Sequence, residues 1–350
     1  MKAAATATAA VAVAVAASTA GCQIQRPPAP VGVGVLDIKE VARATDRPAL
    51  SPIAWSGDGQ RFAYGTRDGV WVHRLGDAKG TRIAGGGAVT AVGWSAAADT
   101  VAYIDGGVLS TISPDGRHAR EIRLPGFVTA IAWAPGGDRL AAVVRAADGQ
   151  DDRLMWTSRD GTIIRQIQWE PRGKRITVLG WFPDTLHLFV ALSAPGADAT
   201  TEWWSIRIAY PDFVRVVGPD RPALDPALSP SGQWIAFVGA EGSAQRVFAV
   251  RTDGSGLHPV SAPSGRVGGL AWSHRSDKVA YAVMLGDTQA EVHITGAAGS
   301  PSQRVTTYRV EFADPAVSLS IVWAPDDLHL AYGTNTGALS GPVWIARFQR

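Results

Sequence analysis

The chain runs to 350 residues, 46% of them hydrophobic, with 33 basic side chains against 31 acidic. That near balance, with the basic residues scattered along the chain, shows no concentrated basic face of the kind nucleic-acid binding requires, and a lone cysteine excludes an internal disulfide framework. Length alone suggests two domains, but an internal repeat running through most of the chain points to one closed domain.

The first segment is not part of that repeat. Lys2 is followed by a run of small apolar residues from Ala3 to Ala17, shorter than the roughly 20 residues that span a bilayer and laid out as a secretory signal. Ala20-Gly21-Cys22 puts the single cysteine where a bacterial lipobox needs it, although Thr19 stands where leucine is usual. The stretch resembles a lipobox. The resemblance implies that residues 1–21 are a lipoprotein signal peptide and that Cys22 is acylated as the mature N-terminus. It also implies an exported protein, lipid-anchored in the cell membrane and facing the extracytoplasmic side. An ordinary secretory signal cleaved after Ala20 is the other reading. Residues 22–32 carry three prolines and no apolar periodicity and read as an extended tether. Residues 33–350 are the folded domain.

Within it one pattern recurs seven times: an apolar run ending in a large residue, a polar turn, and a second apolar run. The anchors are Trp55, Trp94, Trp133, Trp181, Leu228, Trp272 and Trp323. Eight residues after each stands the centre of the second run: Ala63, Ala102, Ala141, Phe189, Ala236, Ala280 and Ala331. The second unit parses into strand A (residues 89–94), strand B (100–104), strand C (108–112) and strand D (119–124), with Gly106-Gly107 and Ser113-Pro114-Asp115-Gly116 as turns. Four antiparallel strands in about 40–45 residues describe a propeller blade. The expected fold is therefore all-β, a seven-bladed β-propeller. The constant offset predicts that each anchor faces a small residue on strand B of its own blade, with Phe189 and Leu228 as two breaks in the rule.

The last unit stops after strand C. The segment 35–41 precedes Asp46-Arg47-Pro48-Ala49-Leu50, and the strand D at 213–217 precedes Asp220-Arg221-Pro222-Ala223-Leu224. The shared connection predicts that the N-terminal segment supplies the missing strand D and closes the ring, leaving no open sheet edge.

The turns Trp133-Ala134-Pro135-Gly136-Gly137, Trp181-Phe182-Pro183-Asp184, Ser229-Pro230-Ser231-Gly232 and Trp323-Ala324-Pro325-Asp326 resemble the WD40-like repeats of TolB-type proteins over about residues 35–350. TolB-type proteins carry six blades and an N-terminal domain, so a Tol-system role does not follow. A lipobox ahead of a propeller also resembles the LpqB-like envelope lipoproteins, without the extra domain those carry. What the resemblance implies is an exported binding scaffold.

A search for chemistry finds no Gly-x-Ser-x-Gly, His-Glu-x-x-His, Cys-x-x-Cys or phosphate loop. His187 and His329 share one repeat position, filled elsewhere by Arg61, Arg139 and Lys278, and so read as surface residues. The remaining histidines lie in strand C or in turns, so no metal site is expected, and no catalytic residue or cofactor is assigned. Asp148-Gly149-Gln150-Asp151-Asp152 reads as a solvated acidic hairpin tip.

Two functions remain. One is a non-catalytic, membrane-anchored scaffold, a monomer, that binds an envelope protein or polymer. The other is an extracytoplasmic hydrolase or lyase acting on a glycan or ester, which would bring carboxylates or histidines from at least three strand-A starts to the central funnel. The long insertions fall in B–C and D–A connections, which share one face of a propeller, and function gathers on elaborated loops. Blades three and four stand out there. Arg145, Asp151, Asp152, Trp169, Arg172, Lys174, Arg175, Glu202 and Trp203 form the expected partner-binding set, rich in the tryptophan and arginine typical of hot spots. For Trp169 and Trp203, packing between blades is the alternative.

Overall fold

A computed structural model describes residues 36–146, 152–167, 169, 171, 173–195, 200–209, 212–216, 223–262, 264–286, 289–299, 301–309, 320–334 and 341–349. Cys22, Asp151 and Arg172, together with the signal and tether segments, lie outside the described residues.

The described strands form seven four-stranded antiparallel sheets. Six take their strands in simple sequence order. The seventh combines Ser320–Trp323, His329–Gly333 and Val343–Gln349 with the N-terminal strand Asp37–Arg43 at its outer edge. The pairing runs antiparallel from Asp37↔Gln349 to Arg43↔Trp344. It continues past the strand: Ala44 N–H donates to the Val343 carbonyl (2.8 Å) and Ala49 N–H to the Gly341 carbonyl (2.9 Å). The Gln303 side chain clamps Leu36 by two bonds, 2.8 Å to its N–H and 2.7 Å to its carbonyl, tying the closing strand to blade six as well. The ring is closed by the two ends of the repeat region, as the shared connection predicts.

The core is a set of seven apolar clusters, one at each interface between blades. Their membership corrects the expected pairing of anchor and small residue. In register, Trp94 faces Val101, Trp133 faces Leu140 and Trp272 faces Val279, so each anchor meets a large residue on its own strand B. In five blades the small residue of strand B faces the one before the anchor, itself small: Ala54↔Ala63, Gly93↔Ala102, Ala132↔Ala141, Ala227↔Ala236 and Ala271↔Ala280; in blade seven Ala331 faces Val322. Two small residues side by side make a depression, and the next blade's tryptophan packs against it. Ala63 clusters with Trp94, Ala102 with Trp133, Ala141 with Trp181, Ala236 with Trp272, Ala280 with Trp323 and Ala331 with Trp55.

The large/small complementarity therefore works between blades. The two apparent breaks are one compensated exchange: Phe189 of blade four clusters with Leu228 of blade five. Where the hollow is filled by phenylalanine, the incoming anchor is the smaller leucine. Phe189 is accommodated within its own blade because its register partner is Gly180.

Three of the indoles also donate a hydrogen bond across the interface to the carbonyl of the residue before the preceding anchor: Trp133 to Gly93 (3.2 Å), Trp181 to Ala132 (2.8 Å) and Trp272 to Ala227 (2.9 Å). The indoles of Trp55 and Trp323 pack equally well with no hydrogen-bond partner among the described residues. Packing is thus the constant feature and the hydrogen bond an addition to it.

The A–B turns are short because they interlock. Asp327 in the blade-seven turn accepts bonds from the N–H groups of His274 (2.6 Å) and Arg275 (3.1 Å) in the blade-six turn. Ser276 of that turn in turn accepts the Ser231 N–H of blade five (3.0 Å).

Candidate functional site

The opposite face, where B–C and D–A connections emerge, is built differently. In five consecutive blades strand A carries a register shift near its start: Val89/Ala91, Val128/Ala130, Ile176/Val178, Leu224/Ala227 and Gly268/Ala271. Such a bulge adds one residue and re-aims side chains. In three blades the extra residue is an exposed threonine: Thr90, Thr129 and Thr177. The hydroxyls of Thr129 and Thr177 fold back toward the Val143 and Ala191 carbonyls of the neighbouring strand B (3.4 and 3.3 Å), partly satisfying acceptors that the bulge displaces. In blades five and six the bulges hold Asp225 (φ 47°) and Gly269 (φ 66°) in the left-handed region, and Asp225 accepts the Gly269 N–H at 3.1 Å. The described strand-A starts thus bring three hydroxyls, one carboxylate and glycine backbone to the mouth of the central funnel.

At blades three and four the expected partner-binding residues fall into two charged groups. Arg145 ends strand B of blade three (Arg139–Arg145) and Asp152 begins its strand C (Asp152–Ser158); the two are direct register partners. Asp152 is not at a solvated tip, as expected, because its side chain is 0% exposed. It accepts from Arg145 Nε (3.0 Å), from Arg175 Nη1 (3.3 Å) and from the Ile176 N–H (3.0 Å). Arg175 and Ile176 begin strand A of blade four (Arg175–Trp181), so one buried carboxylate staples two blades. Removing a partner from a buried, multiply bonded charge is costly because the others remain desolvated. Asp152→Asn, which keeps the shape and loses the charge, should lower unfolding free energy by about 1–3 kcal/mol. A guanidinium chloride titration checks it, and a midpoint equal to wild type would count against the staple.

The second group is Lys174, Glu202 and Trp204. Lys174 Nζ donates to Glu202 Oε1, and Trp204 Nε1 donates to Oε2 at 3.1 Å. The hydrogen bond from Lys174 holds the Glu202 carboxyl below the usual range, against partial burial and with help from Trp204. Trp169 packs edge-on to Trp204, ring centroids 6.0 Å apart, and against Phe213. Trp203 is only 1% exposed. Its indole donates to Thr200 Oγ1 (2.9 Å), and its ring meets Phe237 at 5.3 Å. Packing between blades is the role the structure gives Trp203, and no partner can reach it.

What sequence reasoning missed is Phe127. It begins strand A of blade three (Phe127–Trp133), directly opposite Arg145, and is 61% exposed. Its ring lies over Gly107 in the blade-two B–C turn, where a Cβ would fall 2.2 Å from the ring, so only glycine fits beneath it. Val108 beside it is also exposed. Phe127, Val108 and the half-exposed Arg145 make an apolar and cationic patch over blades two and three. The signal available in sequence was an aromatic residue, Phe127, six before the anchor, where the other units carry Ala49, Ala88, Arg175, Pro222, Arg266 and Val317.

The histidines lie elsewhere. His187 keeps 30% of its side chain exposed, whereas His329 is largely covered, at 12%. Each binds the aspartate three residues before it through Nδ1: Asp184 at 2.5 Å and Asp326 at 2.7 Å. Both carboxyls also accept backbone N–H groups of their own turn. Burial disfavours their ionisation, but these bonds outweigh it and lower both pKa values. Recurrence of the same Asp-x-x-His contact in two blades marks a turn device rather than a catalytic pair. Among the described residues no three His, Cys, Asp or Glu side chains converge as metal ligands.

No protein-family model matches the sequence, and no curated protein does. Solved structures do. An oligogalacturonate lyase in complex with manganese aligns with a TM-score of 0.70 at 12% identity, over 90% of this chain and 96% of its own. An oligogalacturonate lyase from Vibrio parahaemolyticus aligns at 0.69 and 10%, over 88% and 93%. A TolB-type protein from Agrobacterium tumefaciens aligns at 0.52 and 17%, over 78% and 94%. What the chain shares with these proteins at such identities is the β-propeller fold.

Proposed function

We propose that the chain is a binding scaffold that presents the B–C/D–A face to a protein partner of the cell envelope. In this reading it is exported and held to the membrane by lipid on Cys22. The observation that carries the reading is the make-up of that face: an exposed Phe127 with Val108 and Arg145 at its edge, beside a funnel mouth of threonine hydroxyls. Aromatic and arginine side chains ringed by neutral polar groups suit a docking surface.

The test compares wild type with Phe127→Ala and Val108→Ser as baits on solubilised membranes, followed by affinity measurement on the retained protein. Both variants should lose about tenfold or more in affinity, as removing a hot-spot anchor does, with an unchanged melting temperature. Charge reversal at Lys174 is a poor probe, since it would set two anions together at Glu202 and disturb stability as well. If only A–B turn substitutions such as Asp58→Ala weaken binding, the face is misassigned.

The overall likeness to oligogalacturonate lyases favours a second reading, a lyase acting on an acidic glycan. Saturable turnover of oligogalacturonate, abolished by Asp225→Asn at the funnel mouth, would replace the scaffold reading.

A further inference from the structure

The seam where the ring closes holds a cavity of about 540 Å³ between blades seven and one, within the size range of small-molecule sites. It lies apart from the docking face proposed above. One wall is a row across blade seven. Glu40 of the closing strand is the register partner of Arg347, and Arg347 is that of His329. The other wall is the C–D turn of blade one, Arg74 to Asp77, closed by a bond from the Asp77 N–H to the Arg74 carbonyl (3.0 Å). Buried His73 holds this turn through Nε2, 2.8 Å from the Asp77 carbonyl, and stacks on Phe62 with parallel rings 5.4 Å apart. Between the walls lie half-buried Ala42, Ala44 and Leu75 over the buried Phe62 and Ile345, with Gln60 at the edge.

The charges on these walls are unspent. Glu40 and Arg347 stand directly opposite on paired strands, where unlike charges ordinarily bridge, yet neither forms an ion pair with a described residue. The same is true of Arg74 and Asp77. At blades three and four, by contrast, Arg145, Lys174 and Arg175 are each bonded to a carboxylate. Arg43 of the closing strand also lines the cavity, its guanidinium held to the Thr45 carbonyl (2.9 Å). A cavity with an unbridged acid and base on each wall, Arg43 as a further cation and apolar side chains between, is complementary to a molecule carrying both charges and an apolar body. We propose that the seam cavity binds a zwitterion of the amino-acid or short-peptide class. Arg347 or Arg74 takes its carboxylate, Glu40 or Asp77 its ammonium, and the floor around Ala42, Ala44 and Leu75 its side chains.

The test is calorimetric titration of the detergent-solubilised full chain with leucyl-leucine, its C-terminal amide and its N-acetyl derivative. The free dipeptide should bind, and each blocked form should bind about tenfold more weakly, the usual cost of one charge-assisted hydrogen bond. Arg347→Gln should weaken the free dipeptide and erase discrimination against the amide, and Glu40→Gln should do the same for the acetyl form. Both side chains are exposed, so the melting temperature should not move. Absence of binding at millimolar dipeptide would overturn the proposal, as would equal binding of all three peptides or indifference to both substitutions. Binding of the acetyl form as tight as the free dipeptide, with loss of the amide, would also overturn it, leaving a carboxylate site.

Discussion

Replacing Phe189 by alanine should lower the unfolding free energy by about 3–5 kcal/mol, and adding Leu228→Trp should restore part of that loss. Phe189 is 0% exposed and lies in the cluster between blades four and five, with Trp203, Phe237 and Leu228. Alanine alone leaves a cavity that the rigid neighbouring blade cannot collapse into. Tryptophan at 228 alone overfills the site, at about 1–3 kcal/mol. Together the two changes recreate the alanine-beside-tryptophan arrangement of the other six interfaces. The four proteins of the double-mutant cycle, unfolded in guanidinium chloride, should therefore show a favourable coupling of at least about 1 kcal/mol. Strictly additive losses would mean that the exchange of Phe189 and Leu228 is not compensatory.

The largest effect should follow deletion of residues 37–43. The deletion removes the whole outer strand of blade seven. The Val343–Gln349 strand would become an open edge with unpaired N–H and C=O groups. Phe348, at present buried, would lose its cover, and the apolar cluster between blades six and seven would lose Ile38. The neighbouring bonds of Leu36 to Gln303 and of Ala44 to Val343 would go with the strand. A closed ring has no local way to absorb such a gap, since each blade is half of two interfaces. The melting temperature should fall by more than about 10 °C, the shift expected for a loss above roughly 7 kcal/mol in a chain of this size, or the cooperative transition should disappear. Deletion of residues 23–31, the expected tether, should leave it unchanged. A deletion of 37–43 that melts like wild type would contradict closure by the N-terminal strand.

The architecture was legible in the sequence because it rests on local periodicity. The alternation of apolar residues, the polar turns and the fixed eight-residue offset are each properties of one unit, repeated seven times. Closure was legible for a related reason: residues 46–50 repeat the connection at 220–224, so the strand before each had to play the same part. The strands Ser320–Trp323 and His329–Gly333 of the last blade carry the anchor Trp323 and the centre Ala331 that the pattern picked out.

Only the tertiary structure decided what those residues touch. The offset between Trp272 and Ala280 suggested contact within one blade, but a hydrogen-bonded ladder sets its own register and places Val279 opposite the indole. The alanine serves the next blade's tryptophan, a contact some 43 residues away that no local pattern carries. The charges at blades three and four followed the same logic. Asp152 read as one of three carboxylates at a hairpin tip, yet the arrival of Arg175 and the Ile176 N–H from the adjacent blade made burial of its charge favourable. Phe127 took the opposite course: its strand position would bury it in an ordinary sheet, and the end of the blade leaves it in solvent. A single unit determines which residues are apolar and where the chain turns. Which of them meet, and which charges remain unpaired, is settled by the ring, because every blade acquires its partners only when its neighbours are in place.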